Sequence, residues 1–244
     1  TVLHLARYAY DAKGNRILEQ SGEQMTWTEY DAHNNPIKIT NGLGHATHTV
    51  YNTHFLNAQG QLVLQAITTD PLGYQTIHTY DAANRLVEIK RCNPFGLQVA
   101  HQIIFYDLCG NKCRVSDDVI CESKTIRVID TIFAYTDDNQ ITTIIEAAST
   151  PEQKITRTLY NSFGQKSAVI KPDGNTLFYE YDALGRLNTL KSADQSIHYA
   201  YAYNLRDQVT KVSDLKLGQV TERTYDLLGQ IIKETLGNGL SVQY

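Results

Sequence analysis

A tyrosine followed by aspartate, two variable residues, a glycine or asparagine and a short polar-to-aliphatic exit recurs along the whole chain. The clearest copies are YDAKGNRI at 10–17, YDAHNNPI at 30–37, YDAANRL at 80–86, YDLCGNK at 106–112, YDALGRL at 181–187 and YDLLGQI at 225–231. Weaker copies are YTDDNQI at 135–141, YNSFGQK at 160–166, YNLRDQV at 203–209 and a stretched one that opens at Tyr51. The starts, at 10, 30, 51, 80, 106, 135, 160, 181, 203 and 225, lie 20–29 residues apart. A period of that size means one supersecondary unit repeated in tandem, each copy covered only by its neighbours.

The unit reads as a β-hairpin. Aspartate at the first corner of a four-residue turn offers its carboxylate to backbone N–H groups, and glycine at the fourth corner completes a type I signature. Asparagine stands in for glycine at Asn34, Asn84 and Asn139, the next best choice at positive φ. The tyrosine closes the incoming strand, its ring on one face and its hydroxyl left to find a partner. The expected structural signature is Tyr10, Asp11 and Gly14; Tyr30, Asp31 and Asn34; Tyr80, Asp81 and Asn84; and Tyr106, Asp107 and Gly110. It continues with Tyr160, Asn161 and Gly164; Tyr181, Asp182 and Gly185; and Tyr225, Asp226 and Gly229.

A second set of turns falls between these, at Ser21-Gly22, Asn41-Gly42, Asp70-Pro71-Leu72-Gly73, Pro172-Asp173-Gly174-Asn175 and Gly237-Asn238-Gly239. Corners therefore come about every ten residues. Between them Ile197, Tyr199, Tyr201 and Tyr203 alternate with His198, Ala200 and Ala202, the period of a strand. Sixteen tyrosines against one tryptophan and one methionine suit a pleated surface, and no segment carries a sustained helical stripe. Residues 91–150 keep longer spacings and all four cysteines, and read as hairpins with longer loops or strands.

The expected fold is all-β: tandem antiparallel hairpins forming one array over residues 1–244, cut from a longer chain. Ten units of two strands make about 20 strands, and strongly twisted open sheets rarely exceed about ten without curling, splitting or flattening. A strongly curled sheet, a segment of a spiral hollow shell, is the expected form. A propeller repeats on about twice this period.

Chemistry is sparse. There is no G-x-S-x-G elbow, H-E-x-x-H helix, phosphate loop or calcium loop. His45 and His48 have opposite strand parity, and with His4, His33, His54, His78, His101 and His198 they read as polar strand or turn residues. Asp117-Asp118 and Asp137-Asp138 read as solvated turns. Cys92, Cys109, Cys113 and Cys121 are free thiols, disulfides or, lacking a second short pair, less fittingly a zinc site. No catalytic residue, metal site or cofactor is expected. A net charge of −4 gives no field for nucleic acid, and no apolar run has the length of a membrane span.

The Y-D-x-x-G-[RNQ]-[LIV] unit, best displayed by GNTLFYEYDALGRL at 174–187, resembles the Rhs/YD-repeat family over essentially the whole chain. That family includes bacterial Rhs polymorphic toxins, shell components of insecticidal toxin complexes, wall-associated proteins and teneurins. The resemblance implies a structural scaffold, not an enzyme: a wall segment of a secreted or cell-surface shell that encapsulates a C-terminal toxin until delivery. Its partners would be the remaining repeats and the enclosed domain, with no nucleic acid and no membrane insertion by this segment. The family also admits an adhesion or carbohydrate-binding role. Toxin-type members end the shell with a self-cleaving segment, and Asp70-Pro71-Leu72-Gly73 matches a piece of it only superficially, being placed as a turn. No N-x-[ST] acceptor is present, which weighs mildly against the glycosylated, adhesive alternative.

Overall fold

A computed structural model describes residues 6–120 and 126–244, so His4 and Cys121 lie outside the described residues. Every regular element among the described residues is a strand. The first ten are β1 (Ala6–Tyr10), β2 (Arg16–Ser21), β3 (Gln24–Tyr30), β4 (Pro36–Asn41), β5 (Ala46–Leu56), β6 (Leu62–Thr69), β7 (Gln75–Tyr80), β8 (Leu86–Cys92), β9 (Gln98–Tyr106) and β10 (Lys112–Ile120). There follow β11 (Ile126–Tyr135), β12 (Ile141–Ala148), β13 (Lys154–Tyr160), β14 (Lys166–Ile170), β15 (Thr176–Tyr181) and β16 (Leu187–Ser192). The last are β17 (His198–Tyr203), β18 (Val209–Asp214), β19 (Gln219–Tyr225), β20 (Ile231–Thr235) and β21 (Ser241–Gln243).

The chain divides into two compact units, Thr1–Asp130 and Thr131–Tyr244. In the first, β1 to β10 pair each with the next, always antiparallel. In the second, β12 to β21 do the same. The strands after the second set of turns repeat one another closely. QMTWTEY, KITRTLY and QVTERTY share one alternation of exposed and half-buried positions, as a period-2 surface requires.

Most YD hairpins also carry a β-bulge. Register slips at the tyrosine, for example between Glu180 and Tyr181, so that Leu187 and Thr189 face successive residues of β15 and Asn188 is the extra one. The same slip recurs at Tyr10, Tyr30, Tyr80, Tyr160, Tyr203 and Tyr225. A bulge bends the strand and adds right-handed twist.

Burial is shallow. Val63, Ala66, Cys92 and Ile104 in the first unit and Ala148 and Ala168 in the second are the buried hydrophobic side chains among the described residues, and no large side chain is wholly enclosed. Cross-strand pairing, more than a packed interior, carries the stability.

Four expectations change. The strong curl is not displayed: among the described residues β1 pairs only with β2 and β21 only with β20, each unit remaining an open ladder. Each unit holds about ten strands, the number up to which an open sheet still accommodates its twist. The stretched copy does not turn at Tyr51. Strand β5 runs on for eleven residues, and the corner forms at residues 57–60, with Asn57 in the aspartate role and Gly60 at φ 72. The turn near Asn41-Gly42 uses residues 41–44, with Gly44, not Gly42, in the left-handed conformation. Asp117 and Asp118 lie within strand β10, facing opposite sides of the sheet, because the 91–150 region lengthens its strands rather than its loops.

Candidate functional site

The chemistry of this chain is concentrated where the tyrosine-aspartate corners line up along one edge of each unit. In the turn at residues 182–185, the Gly185 N–H donates to the Asp182 carbonyl (2.9 Å) and the Asp182 N–H to the Arg186 carbonyl (2.9 Å). Asp182 Oδ1 accepts the backbone N–H groups of Leu184 and Arg186, both at 2.9 Å, and Oδ2 accepts Arg186 Nε at 2.8 Å. Asp11 and Asp31 repeat this with Asn15 and Asn35, and Asp81 with Arg85. Asn161 and Asn204 accept the same backbone bonds through Oδ1.

These donors stabilise the ionised carboxylates. The side-chain hydrogen bonds from Asn15, Asn35 and Arg186, followed by the backbone N–H of those residues, hold Asp11, Asp31 and Asp182 below the usual carboxylate range. At Asp107 the Asn111 backbone N–H does so first. The fourth corner takes positive φ throughout: 85° at Gly14, 87° at Gly110, 74° at Gly164, 80° at Gly185 and 87° at Gly229. Asn34, Asn84 and Asn139 take 67°, 59° and 61°, and Asp207 takes 60° in the weaker copy at 203.

Two further contacts, not read from the sequence, tie each hairpin to the next. The first is a tyrosine spine. Tyr30 Oη donates to the Arg16 carbonyl (3.0 Å), Tyr51 to Pro36 (3.1 Å), Tyr106 to Leu86 (2.8 Å) and Tyr160 to Ile141 (2.8 Å). Tyr181 donates to Lys166 (2.9 Å), Tyr203 to Leu187 (2.8 Å) and Tyr225 to Val209 (2.7 Å). Each acceptor opens the returning strand of the preceding hairpin, and Arg16, Pro36, Leu86, Lys166, Leu187 and Val209 stand immediately before the bulged residue, where the ladder is interrupted. Burial raises the pKa of Tyr181 and Tyr203, which keeps both phenols protonated donors.

The second contact comes from the residue just after the glycine. Gln140 Nε2 donates to the Gly164 carbonyl and Gln165 Nε2 to the Gly185 carbonyl, both at 2.7 Å. Arg186 reaches Asp207 Oδ1 at 2.9 Å, and its guanidinium lies 4.7 Å from the centre of the Tyr203 ring. Arg85 stands likewise 4.6 Å from the Tyr106 ring, and Asn15 Nδ2 donates to Asn34 Oδ1 at 3.0 Å. The Arg, Asn or Gln at this motif position was the available signal; its partner one repeat away needed the register.

These polar groups are engaged in holding turns to turns. Among the described residues no three His, Cys, Asp or Glu side chains are grouped to hold a metal ion. Cys92 is buried, Cys109 exposed and Cys113 half-buried, all three as free thiols. His54 Nδ1 lies 3.0 Å from Thr53 Oγ1. His101 is different: Nε2 lies 2.9 Å from Glu88 Oε1 and Nδ1 2.9 Å from Asp118 Oδ2. A separate open groove of about 890 Å³ beside the first two corners is lined by Asp11, Lys13, Ile17, Trp27, Tyr30 and Thr40, among others.

The family model of the RHS repeat matches residues 57–91, beginning at the Asn57 corner. No curated protein matches the chain. Solved structures are similar to it. The pore of the Photorhabdus luminescens Tc holotoxin matches with a TM-score of 0.59 at 14% identity, covering 96% of this chain and 14% of that one. A crystal structure of TcdB2-TccC3-TEV matches with a TM-score of 0.52 at 15% identity, covering 94% of this chain and 14% of that one. The chain thus spans 14% of the length of each of these structures, and at such identities the likeness is one of fold. The RHS resemblance read from the repeat is shown by these matches.

Proposed function

We propose that this chain is a wall segment of an Rhs-type shell that encapsulates a C-terminal toxin or effector domain until delivery, in a secreted or cell-surface protein. The observation that carries this reading is the hairpin-to-hairpin linkage. Tyrosine spine, turn staples and serial pairing join most repeats to the next by kindred contacts, in ladders with shallow burial. Such a linkage serves extension and not a site. Repeats beyond these, each adding a bulge and its twist, would carry the sheet past the number of strands that stays open, and the strip would then curl into a spiral wall. The fold shared with the Tc structures supports the reading. Among the described residues no helix is long and apolar enough to cross a membrane, and the reading requires neither bilayer nor nucleic acid.

Electron microscopy and limited proteolysis of the intact parent protein test it. The expected result is a hollow particle in which the C-terminal domain resists protease. A C-terminal domain cleaved as fast as the same domain alone would overturn the proposal.

The groove beneath the first corners favours a second reading, carbohydrate binding by an adhesion module. Its wall includes Trp27, the chain's one tryptophan, 41% exposed beside hydrogen-bonding side chains. Glycan-array binding that Trp27→Ala abolishes would select this reading, and no glycan bound would reject it.

A further inference from the structure

We propose that Glu88, His101 and Asp118 form a protonation-dependent clasp, which locks strands β8, β9 and β10 together while the imidazole is charged and releases when it is neutral. The inference goes beyond the shell reading and stands without it.

The geometry carries the argument. His101 sits in the middle strand of the three. Its two ring nitrogens each lie 2.9 Å from a carboxylate oxygen, Glu88 Oε1 on one side and Asp118 Oδ2 on the other. An ionised carboxylate only accepts hydrogen bonds, whereas a neutral imidazole has one N–H and one bare lone pair. The neutral ring therefore satisfies one contact and turns its lone pair toward the other oxygen. Only the imidazolium, with both nitrogens donating, satisfies both.

The surroundings favour the charged form. The side chains of His101 and Asp118 are 17% and 20% exposed and that of Glu88 37%. Burial disfavours the charge, but the hydrogen bonds that the ring donates to Glu88 and Asp118 outweigh it and hold the imidazole above its ordinary pKa. Lys90 is the direct register partner of His101 on β8, on the same face, and its cation acts in the opposite sense. On β7, Thr79 and Ile77 stand across from Glu88 and Lys90. Within β9, Gln98 Nε2 donates to Asp118 Oδ2 at 3.3 Å. Farther along β10 on that face, Ser116 donates to Asp130 of β11 at 2.6 Å, and Arg114 stands 4.0 Å from the same carboxylate. Asp117 and Arg91 lie on the other face, where Asp117 accepts from Gln102 and Arg91 approaches Asp70.

A raised pKa in the folded state fixes the sign. The stabilisation is complete below the unfolded imidazole value of about 6.5 and fades as pH rises through the higher folded value. Strands β8 to β10 thus become a seam that loosens toward alkaline pH.

Hydrogen–deuterium exchange of the intact protein across pH 5–9, corrected for intrinsic exchange, reads the seam directly. Protection of peptides covering 86–92, 98–106 and 112–118 should fall about tenfold as pH rises through the His101 transition, the scale of one charged hydrogen bond. Glu88→Gln and Asp118→Asn should each move that step to lower pH, and His101→Gln should remove it. Protection without a step in the wild-type protein would overturn the clasp. So would a step that stays in place in both carboxylate variants, which a purely structural histidine would produce.

Discussion

Gly185 sits at φ 80°, and a Cβ there would come within 3.1 Å of Gln165 Nε2, the donor of the staple to its own carbonyl. Gly185→Ala should therefore cost about 1–2 kcal/mol through the left-handed backbone alone, with the disturbed staple added to it. Gly185→Asn should cost less, because asparagine already occupies the equivalent corner at Asn34, Asn84 and Asn139. Urea midpoints of the two variants would show the order. The carboxylates at the opposite end of the same turns respond to acid. Asp11, Asp31 and Asp182 have lowered pKa values, so their stabilisation is present above the unfolded value of about 3.9 and is lost as pH falls through the folded values. Thermal midpoints should fall below about pH 4, with Asp182→Asn flattening its share of that fall. At this scale the corners were legible in the sequence, since an aspartate at one end and a glycine at the other act on the backbone between them. Gly42 and Gly44, two residues apart, satisfy the same local rule, and only the strand ends of β4 and β5 decide between them.

A hairpin in this array is held less by its own interior than by the hairpin before it. Tyr106 Oη reaches back to the Leu86 carbonyl at 2.8 Å, and Tyr203 Oη to the Leu187 carbonyl at 2.8 Å. Tyr106→Phe and Tyr203→Phe should each destabilise by about 0.5–1.5 kcal/mol, the net worth of one such bond. Two changes so far apart along the strip share no partner, and their costs should add in the double variant, as measured by chemical denaturation. Values near zero for both would mean that water replaces the phenol without loss. The hairpins were legible from strand period and turn chemistry, because both are written within about ten consecutive residues. The spine, the staples and the His101 clasp were not. Each joins residues 13–24 positions apart, and the bulge that recurs at the corner tyrosines shifts the faces by one residue in a way that no local pattern announces. Tyr51 shows the same limit from the other side. It keeps the spine contact to Pro36, yet the corner expected of it forms six residues later, because β5 pairs with β6 beyond it.

At the scale of the whole molecule, nearest-neighbour linkage makes a specific prediction about what the chain tolerates. Each repeat bonds to the one before and the one after, so stability should behave as a sum over repeats and their junctions. Deleting residues 182–203 removes two strands and joins Tyr181 to Asn204. Tyr181 then precedes an intact corner, keeps its own bond to the Lys166 carbonyl, and leaves the Tyr225 bond to the Val209 carbonyl in place. Every remaining strand retains its direction and its face. Deleting residues 193–203 instead removes one strand, so every later strand is reversed, the later corners move to the opposite edge, and the Arg186–Asp207 staple across the junction is lost. Circular dichroism and thermal melting should show the 22-residue deletion folding with a native-like strand signal and a cooperative transition, and the 11-residue deletion losing both. The shorter deletion is the milder change by length, so equal tolerance of the two would mean that something other than serial hairpin contact holds the sheet together. The same logic bears on the shell. A wall built from nearest-neighbour contacts can lose one repeat and stay continuous, whereas a closed barrel, with every strand counted in its circumference, cannot.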